Sequence, residues 1–527
     1  MTAWPRTDRA GWRLAALPAL GVAAGLGQAP WGLWWLTPLA LGLAMAMVVW
    51  ARRPALAGWL LGVGYFGWTL QWIVEPFLVD PEMYGALAPL GIVGTAGGFA
   101  LFWALAAWVA RRWGGGGMGA VVALAGALGL VEAARSLILT GFPWALLGHV
   151  WIDTPLAQLA AWGGPHGLTL LTLLLALPVA LWAASRGAVC PPSGPDGAGL
   201  PPRGIWSKIG AGSAPGLAVL LLLEAGLLAG AWWALDPGPA GPAPEGAPLV
   251  RIVQPNVPQA EKWDPARVDA QFADLLRLSE GPPASLTVWP ETSLPWALDL
   301  GVTPRMPPLG RAAGTGALAT GLVRTAEGDY WNSLAVFDAD GSVAAIYDKW
   351  HLVPFGEYLP FGDLLARFGL RGLAQMLPGG FSVGPGPDVV EIPGLGPATA
   401  LICYEGIFAE EVNAAPGRPR LLILITNDAW FGTRAGPQQH LAQARLRSIE
   451  QGVPMVRAAN TGISALIDAR GRVLESLPLG TQGAMAAPLP EARGATPYTR
   501  LGDGPALALL LALALVGGLA GRRRVSH

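Results

Sequence analysis

Glu291, Lys349 and Cys403 each stand where an apolar, β-rich run stops. The runs read Thr287-Val288-Trp289-Pro290-Glu291-Thr292, Tyr347-Asp348-Lys349-Trp350-His351 and Leu401-Ile402-Cys403-Tyr404-Glu405-Gly406. A buried strand ending in a turn projects a side chain into a cleft, and a turn leading into a helix offers backbone N–H groups to a developing oxyanion. Cys403 is therefore the candidate nucleophile. On its own six residues it reads first as a small core hydrophobe, the usual state of a free Cys. Three strand ends of this kind could converge on one site. Lysine is scarce, with only Lys208, Lys262 and Lys349 among 34 Lys and Arg residues. A Lys at such a strand end points to a need for a compact ammonium beside an oxyanion or carboxylate, where the planar fork of Arg would not serve.

In that order, Glu291, Lys349 and Cys403 resemble the Glu-Lys-Cys triad of the nitrilase superfamily. Two further stretches narrow the resemblance. Ile252-Val253-Gln254-Pro255-Asn256-Val257-Pro258-Gln259 with Lys262-Trp263, and Lys349-Trp350-His351-Leu352-Val353-Pro354-Phe355-Gly356-Glu357-Tyr358, are similar to the membrane-bound apolipoprotein N-acyltransferase branch. Gly141-Phe142-Pro143-Trp144, Gln158 to Gly164 and Thr496-Pro497-Tyr498-Thr499-Arg500 extend the similarity over nearly the whole chain. The resemblance implies Glu291 as base, Lys349 as cation and Cys403 as acyl carrier. It also implies Trp263, Glu357, Tyr404 and Glu405 as supporting or substrate-binding residues, although Glu357 and Glu405 read equally as solvated or structural carboxylates. Neither a metal nor another cofactor is expected. His351 and His440 offer a Cys-His alternative, with His351 read as a structural histidine.

What must position these residues follows from composition. With 527 residues, 53% of them hydrophobic and 13% charged, the chain is too long for one ordinary domain and too apolar for a wholly soluble protein. A net charge of −1 and the lack of basic runs interleaved with aromatics argue against a nucleic-acid partner, whereas 25 tryptophans suit interfacial belts. Apolar runs of about 20 residues, the length that spans a bilayer, follow the first Arg residues and recur at Leu33 to Trp50 and near 54–76, 88–110, 118–140, 166–184, 215–235 and 505–521. This gives about eight spans. Glu132 and Arg135 stand three apart within one of them and can pair on one helix face.

Arg52-Arg53, Arg111-Arg112, the group Arg186, Arg203 and Lys208, and the tail Arg522-Arg523-Arg524 lie on alternate short loops, and the intervening loops carry no Lys or Arg. The positive-inside rule places both termini in the cytoplasm and residues 236 to 504 outside it. Cys190 then lies inside and Cys403 outside, so no intramolecular disulfide joins them. The expected architecture is a polytopic α-helical membrane domain with an α/β domain inserted before the last span. Its boundaries are 1–235 for seven transmembrane helices, 236–247 for a linker, 248–493 for the catalytic domain, and 494–527 for the last helix and basic tail. A Pro/Gly/Ser-rich linker is expected at 190–216.

From Pro248 to Pro490, short β-rich runs alternate with helical stretches, an α/β pattern. The αββα sandwich is what the resemblance adds. It further implies a phospholipid acyl donor, a diacylglyceryl-modified apolipoprotein acceptor, a thioester intermediate and a bacterial inner-membrane location with the catalytic domain periplasmic. A membrane-tethered amidase acting on a soluble amide and a non-catalytic transporter or scaffold are the alternatives. The stretch Phe361 to Phe381, with Leu364, Leu365, Phe368, Leu373 and Met376 at helical spacing, reads as an interfacial amphipathic lid or as a core-packed helix.

Overall fold

The computed structural model describes residues 8–115, 117–185, 214–241, 243–301, 305–360 and 380–522. Cys190 and most of the 190–216 linker, residues 361–379 of the amphipathic stretch, and Arg523 and Arg524 lie outside the described residues. Two compact units emerge. One is built from the chain up to Ile73, Pro89–Asp236 and the chain from Leu501; the other comprises Val74–Ala88 and Pro237–Arg500.

In the first unit the apolar runs form the helices Asp8–Gly25, Leu36–Trp50, Pro54–Thr69, Ala88–Gly114, Met118–Leu137, Ala160–Ser185, Ala214–Leu235 and Gly504–Arg522. Among the described residues, five helical stretches are long and apolar enough to cross a membrane: Pro81–Gly114, Met118–Leu137, Pro155–Ser185, Pro215–Leu235 and Gly504–Arg522. The run expected at 54–76 is shorter than read. Its helix closes at Thr69 and a 3-10 segment, Gln71–Leu78, takes over. Pro76 lies within that 3-10 segment, where its missing N–H and its bias on Glu75 disfavour a return to α-helix.

Helix pairing in this unit rests on small residues. A Cβ on Gly126 would run into the Ala514 backbone, so glycine is what lets Met118–Leu137 lie against Gly504–Arg522. Glu132 and Arg135 form a fully buried ion pair at 2.9 Å. Trp103 Nε1 donates to Glu132 at 2.8 Å, and Arg135 donates to the carbonyls of Phe142 and Trp144. The pair thus draws further hydrogen bonds from a neighbouring helix, through Trp103, and from the turn after its own helix, as two buried charges require.

The second unit holds two sheets. The first runs β13-β1-β2-β4-β5-β6, with β3 pairing on β4. Its strands are β1 Leu249–Gln254, β2 Leu286–Val288, β3 Ala297–Leu298, β4 Ala317–Ala326, β5 Asp329–Phe337, β6 Val343–Asp348 and β13 Gly483–Pro488. The second runs β12-β11-β10-β9-β8-β7. It is built from β7 Val389–Ile392, β8 Gly396–Ile402, β9 Leu421–Thr426, β10 Met455–Ala459, β11 Ser464–Ile467 and β12 Val473–Leu477.

The two-residue period of a strand assigns each side chain to a layer. On β9, Leu421, Ile423 and Ile425 join a central core with Val250, Ile252, Val288 and Val336 of the other sheet. Leu422 and Leu424 face the opposite way, into a cluster with Val412 and Ala444 from the helices Ala409–Ala414 and Gly436–Gln451. Leu318 and Leu322 of β4 do the same against Leu275 and Leu309, from the helices Val268–Leu278 and Pro307–Ala313. Helix, sheet, sheet, helix is therefore the layering, and the αββα sandwich is present.

Candidate active site

The ends of β2, β6, β8 and β9 supply the site. Cys403 follows β8 at the first position of the 3-10 turn Cys403–Ile407 and has φ +53°. A side chain with a Cβ rarely occupies that region, and such strain persists only where the surroundings enforce it. One enforcing contact comes from His440, whose Nε2 lies 3.3 Å from the Cys403 carbonyl oxygen, while its Nδ1 lies 2.9 Å from Asp428. Another comes from Glu405, whose Oε2 accepts the Ile402 N–H at 2.8 Å.

Glu291 follows β2 through Trp289-Pro290. Its turn crosses Gly321 of β4 so closely that any Cβ there would meet the Glu291 and Thr292 backbone. The Glu291 carboxylate accepts from Asn332 Nδ2 at 2.7 Å and from the Asn427 N–H at 2.8 Å. Lys349 Nζ stands 3.7 Å from Glu291 Oε1 and 2.8 Å from Glu357 Oε2. Asn332 on β5 also donates to Glu357 at 2.8 Å, so one amide holds both carboxylates. The Lys349 side chain is 1% exposed.

Electrostatics set the resting protonation state. Burial pulls the Lys349 ammonium toward its neutral form, but the Glu357 and Glu291 carboxylates outweigh burial and hold its pKa above the ordinary range. Burial pushes the Cys403 thiol up, Glu291 adds to the rise, and Lys349 and the Thr426 hydroxyl only partly oppose it. The resting residue is thus a thiol beside an ionised lysine. A thiol in this state needs a base to take its proton before its sulfur can act as a nucleophile.

The remaining candidates fall into distinct places. Glu357 is in direct contact with Lys349, closer than Glu291. Glu405 holds strand ends together: it accepts from Tyr347 Oη at 2.7 Å, from the Trp350 N–H at 2.9 Å and from the Ile402 N–H. Tyr404 packs its ring edge-on against His351 and Phe408, at 5.3 and 5.0 Å between centroids. Trp263 is half-buried beside the buried Lys262. His351 stacks on Phe408 at 4.0 Å and its Nδ1 lies 2.6 Å from Glu411 Oε1. Both histidines are thus engaged with carboxylates, and His440 meets the backbone of Cys403. The structural reading of His351 fits these contacts.

Sequence reasoning missed Asn332, Asn427 and Lys262. Asn427 carried the same signal as the triad, a polar residue ending the apolar run Leu421 to Thr426. Lys262 was one of the three lysines. Asn332 lies inside a strand and had no signal of its own.

This sandwich, with a buried Cys, Glu and Lys at its strand ends, has the features of a carbon-nitrogen hydrolase, and residues 249–498 match that family. Residues 20–177 match the apolipoprotein N-acyltransferase N-terminal domain. The apolipoprotein N-acyltransferase of Sinorhizobium medicae is 37% identical over 456 residues, 83% of this chain and 80% of the relative. That of Caulobacter vibrioides is also 37% identical, over 97% of this chain and 95% of the relative. Among solved structures, a carbon-nitrogen hydrolase superfamily protein from Xanthomonas campestris aligns with 50% of this chain and 96% of its own, at 19% identity and a TM-score of 0.35. The chain belongs to the apolipoprotein N-acyltransferase family.

Proposed function

We propose that the protein transfers a fatty acyl chain from a phospholipid to the N-terminal amine of a diacylglyceryl-modified cysteine on apolipoproteins, through a thioester on Cys403. The single observation that carries the mechanism is the buried cluster of Glu291, Lys349 and Glu357, two members of which, Glu291 and Lys349, act electrostatically on the Cys403 thiol. The names of the curated relatives, apolipoprotein N-acyltransferase, support acyl transfer to an amine of an apolipoprotein, and the phospholipid donor comes from the family resemblance. In the first half-reaction Glu291 takes the Sγ proton as sulfur attacks the ester carbonyl. Lys349 offsets the charge of the tetrahedral oxyanion. Collapse breaks the ester C–O bond, and the proton on Glu291 passes to the departing lysophospholipid oxygen. In the second, the acceptor amine attacks the thioester carbonyl and gives its proton to Glu291. The C–S bond breaks, and the sulfur recovers the proton as the amide forms.

The same reading assigns 1–235 to seven spans, 236–247 to a linker, 248–493 to the catalytic domain and 494–527 to the last span and basic tail. It places the catalytic domain in the periplasm and both termini in the cytoplasm. Trp263 and Tyr404 are taken as substrate-side supports. The test is intact-mass and peptide mass spectrometry after incubation with phospholipid alone. An acyl adduct on Cys403 with release of lysophospholipid is expected. An adduct mapped to another residue, or ammonia release from a soluble amide without lipid, rejects the proposal.

A further inference from the structure

Lys262 is buried, 6% exposed, and the triad chemistry above gives it no task. Its Nζ donates to the backbone carbonyl of Glu291 at 3.0 Å and to Thr292 Oγ1 at 2.5 Å. Both acceptors are neutral, and among the described residues no carboxylate is in ion-pair contact with it. A buried cation without a partner anion is costly, and framework positions seldom keep one. The turn it grips is the one that aims Glu291, and Thr292 in that turn has φ +45°, a strained value for a β-branched residue. Glu291 and Cys403 are the titratable groups whose charges act on Lys262, and the Glu291 carboxylate is also 3.7 Å from Lys349 Nζ. Lys262, Glu291, Thr292 and Asn460 also line one small cavity.

We propose that Lys262 is a positioning residue for this reaction: it clamps the Glu291–Thr292 turn so that the carboxylate faces Cys403, and its charge favours the thiolate as the proton leaves. The proposal rests on the acyl-transfer reading for its substrate, but its geometry concerns only the Glu291–Cys403 pair. Burial lowers the Lys262 pKa to about 8, against the pull of Glu291 and Cys403, so the clamp loses its charge just above neutrality.

Lys262→Met keeps the length and much of the volume of the side chain without charge or donors. Three measurements decide: the rate of Cys403 acylation by phospholipid, the pH profile of Cys403 alkylation by iodoacetamide without lipid, and the thermal midpoint in detergent. Acylation should slow by about tenfold or more, as a misaimed catalytic group does. The alkylation profile should move to higher pH, and the midpoint should hold or rise, because an uncompensated buried charge has gone. Lys262→Arg should return the alkylation profile toward wild type while acylation stays impaired. Unchanged acylation and alkylation, or a Lys262→Met chain that does not fold, overturns the proposal and makes Lys262 framework. Absence of any acyl-Cys403 in the wild type, with the alkylation shift intact, rejects the acyl-transfer reading and leaves the Lys262 inference standing.

Discussion

At the residue scale, the decisive feature is a thiol that stays protonated until attack, next to a lysine that stays charged. Glu291→Gln should therefore abolish acylation, since an amide cannot take the Sγ proton. Lys349→Arg should fail almost as badly as Lys349→Ala: Lys349 sits 1% exposed between two carboxylates, where a compact ammonium and a planar guanidinium fork are not interchangeable. Either change should cost about 100-fold or more in the rate of acyl-enzyme formation, and a tenth of wild-type rate in either would refute the assigned role. Glu357→Gln is a subtler case. With Glu357 neutral, the ammonium loses its closest carboxylate, at 2.8 Å, and keeps the longer 3.7 Å contact to Glu291, so it is held less firmly beside the site. A loss of about ten- to 100-fold in acylation is expected, with folding retained. The convergence of Glu291, Lys349 and Cys403 was legible because each ends an apolar run. The priority of Glu357 over Glu291 as the partner of Lys349 was not, since it depends on how the turn after β6 folds back: the Val353 N–H donates to Glu357 at 2.8 Å.

At the scale of elements, Glu405 ties the end of β6 to the end of β8 through Tyr347, Trp350 and Ile402. Its removal leaves buried donors without an acceptor, so Glu405→Ala should destabilise the domain by about 1–3 kcal/mol per orphaned group, read as a lowered unfolding midpoint. Burial raises its pKa from the ordinary 4.5 to about 7, against Lys349 and the hydrogen bonds. The folded protein then keeps a proton that the unfolded chain has already lost. Its contribution to stability is complete below pH 4.5 and falls as pH climbs through about 7. Glu405→Gln should flatten that part of the stability profile, and an unaltered slope between pH 5 and 7 would count against the assignment. Most strands near the site could be read from sequence because they are buried runs such as Leu421 to Thr426. β12 and β13 could not. Val473–Leu477 and Gly483–Pro488 are largely exposed and poor in β-branched residues, and β13 gains its register only by pairing with β1, Leu249 opposite Pro488. Pairing across more than 200 residues leaves no local mark.

At the scale of the molecule, hydrophobic run length located each apolar helix, because a helix in lipid must satisfy its own backbone and so declares itself in composition. Run length did not show that 54–76 breaks at Thr69, or which glycines bring helices together. Orientation rests on charge alone. Arg52 and Arg53 are exposed between the helices Leu36–Trp50 and Pro54–Thr69, and Asp329 is exposed at the start of β5. If positive loops stay on the cytoplasmic side, single cysteines at these two places must lie on opposite faces of the membrane. The experiment uses Arg53→Cys and Asp329→Cys separately, each in a Cys190→Ser, Cys403→Ser background, with a membrane-impermeant maleimide on cells whose outer membrane alone is permeabilised. Asp329→Cys should label in these cells before lysis, and Arg53→Cys only after lysis. The reverse pattern would put Cys403 on the cytoplasmic face, where thiols are kept reduced and the acceptor amine of an exported protein is out of reach. Such a result would leave the chemistry of the triad intact and remove the substrate.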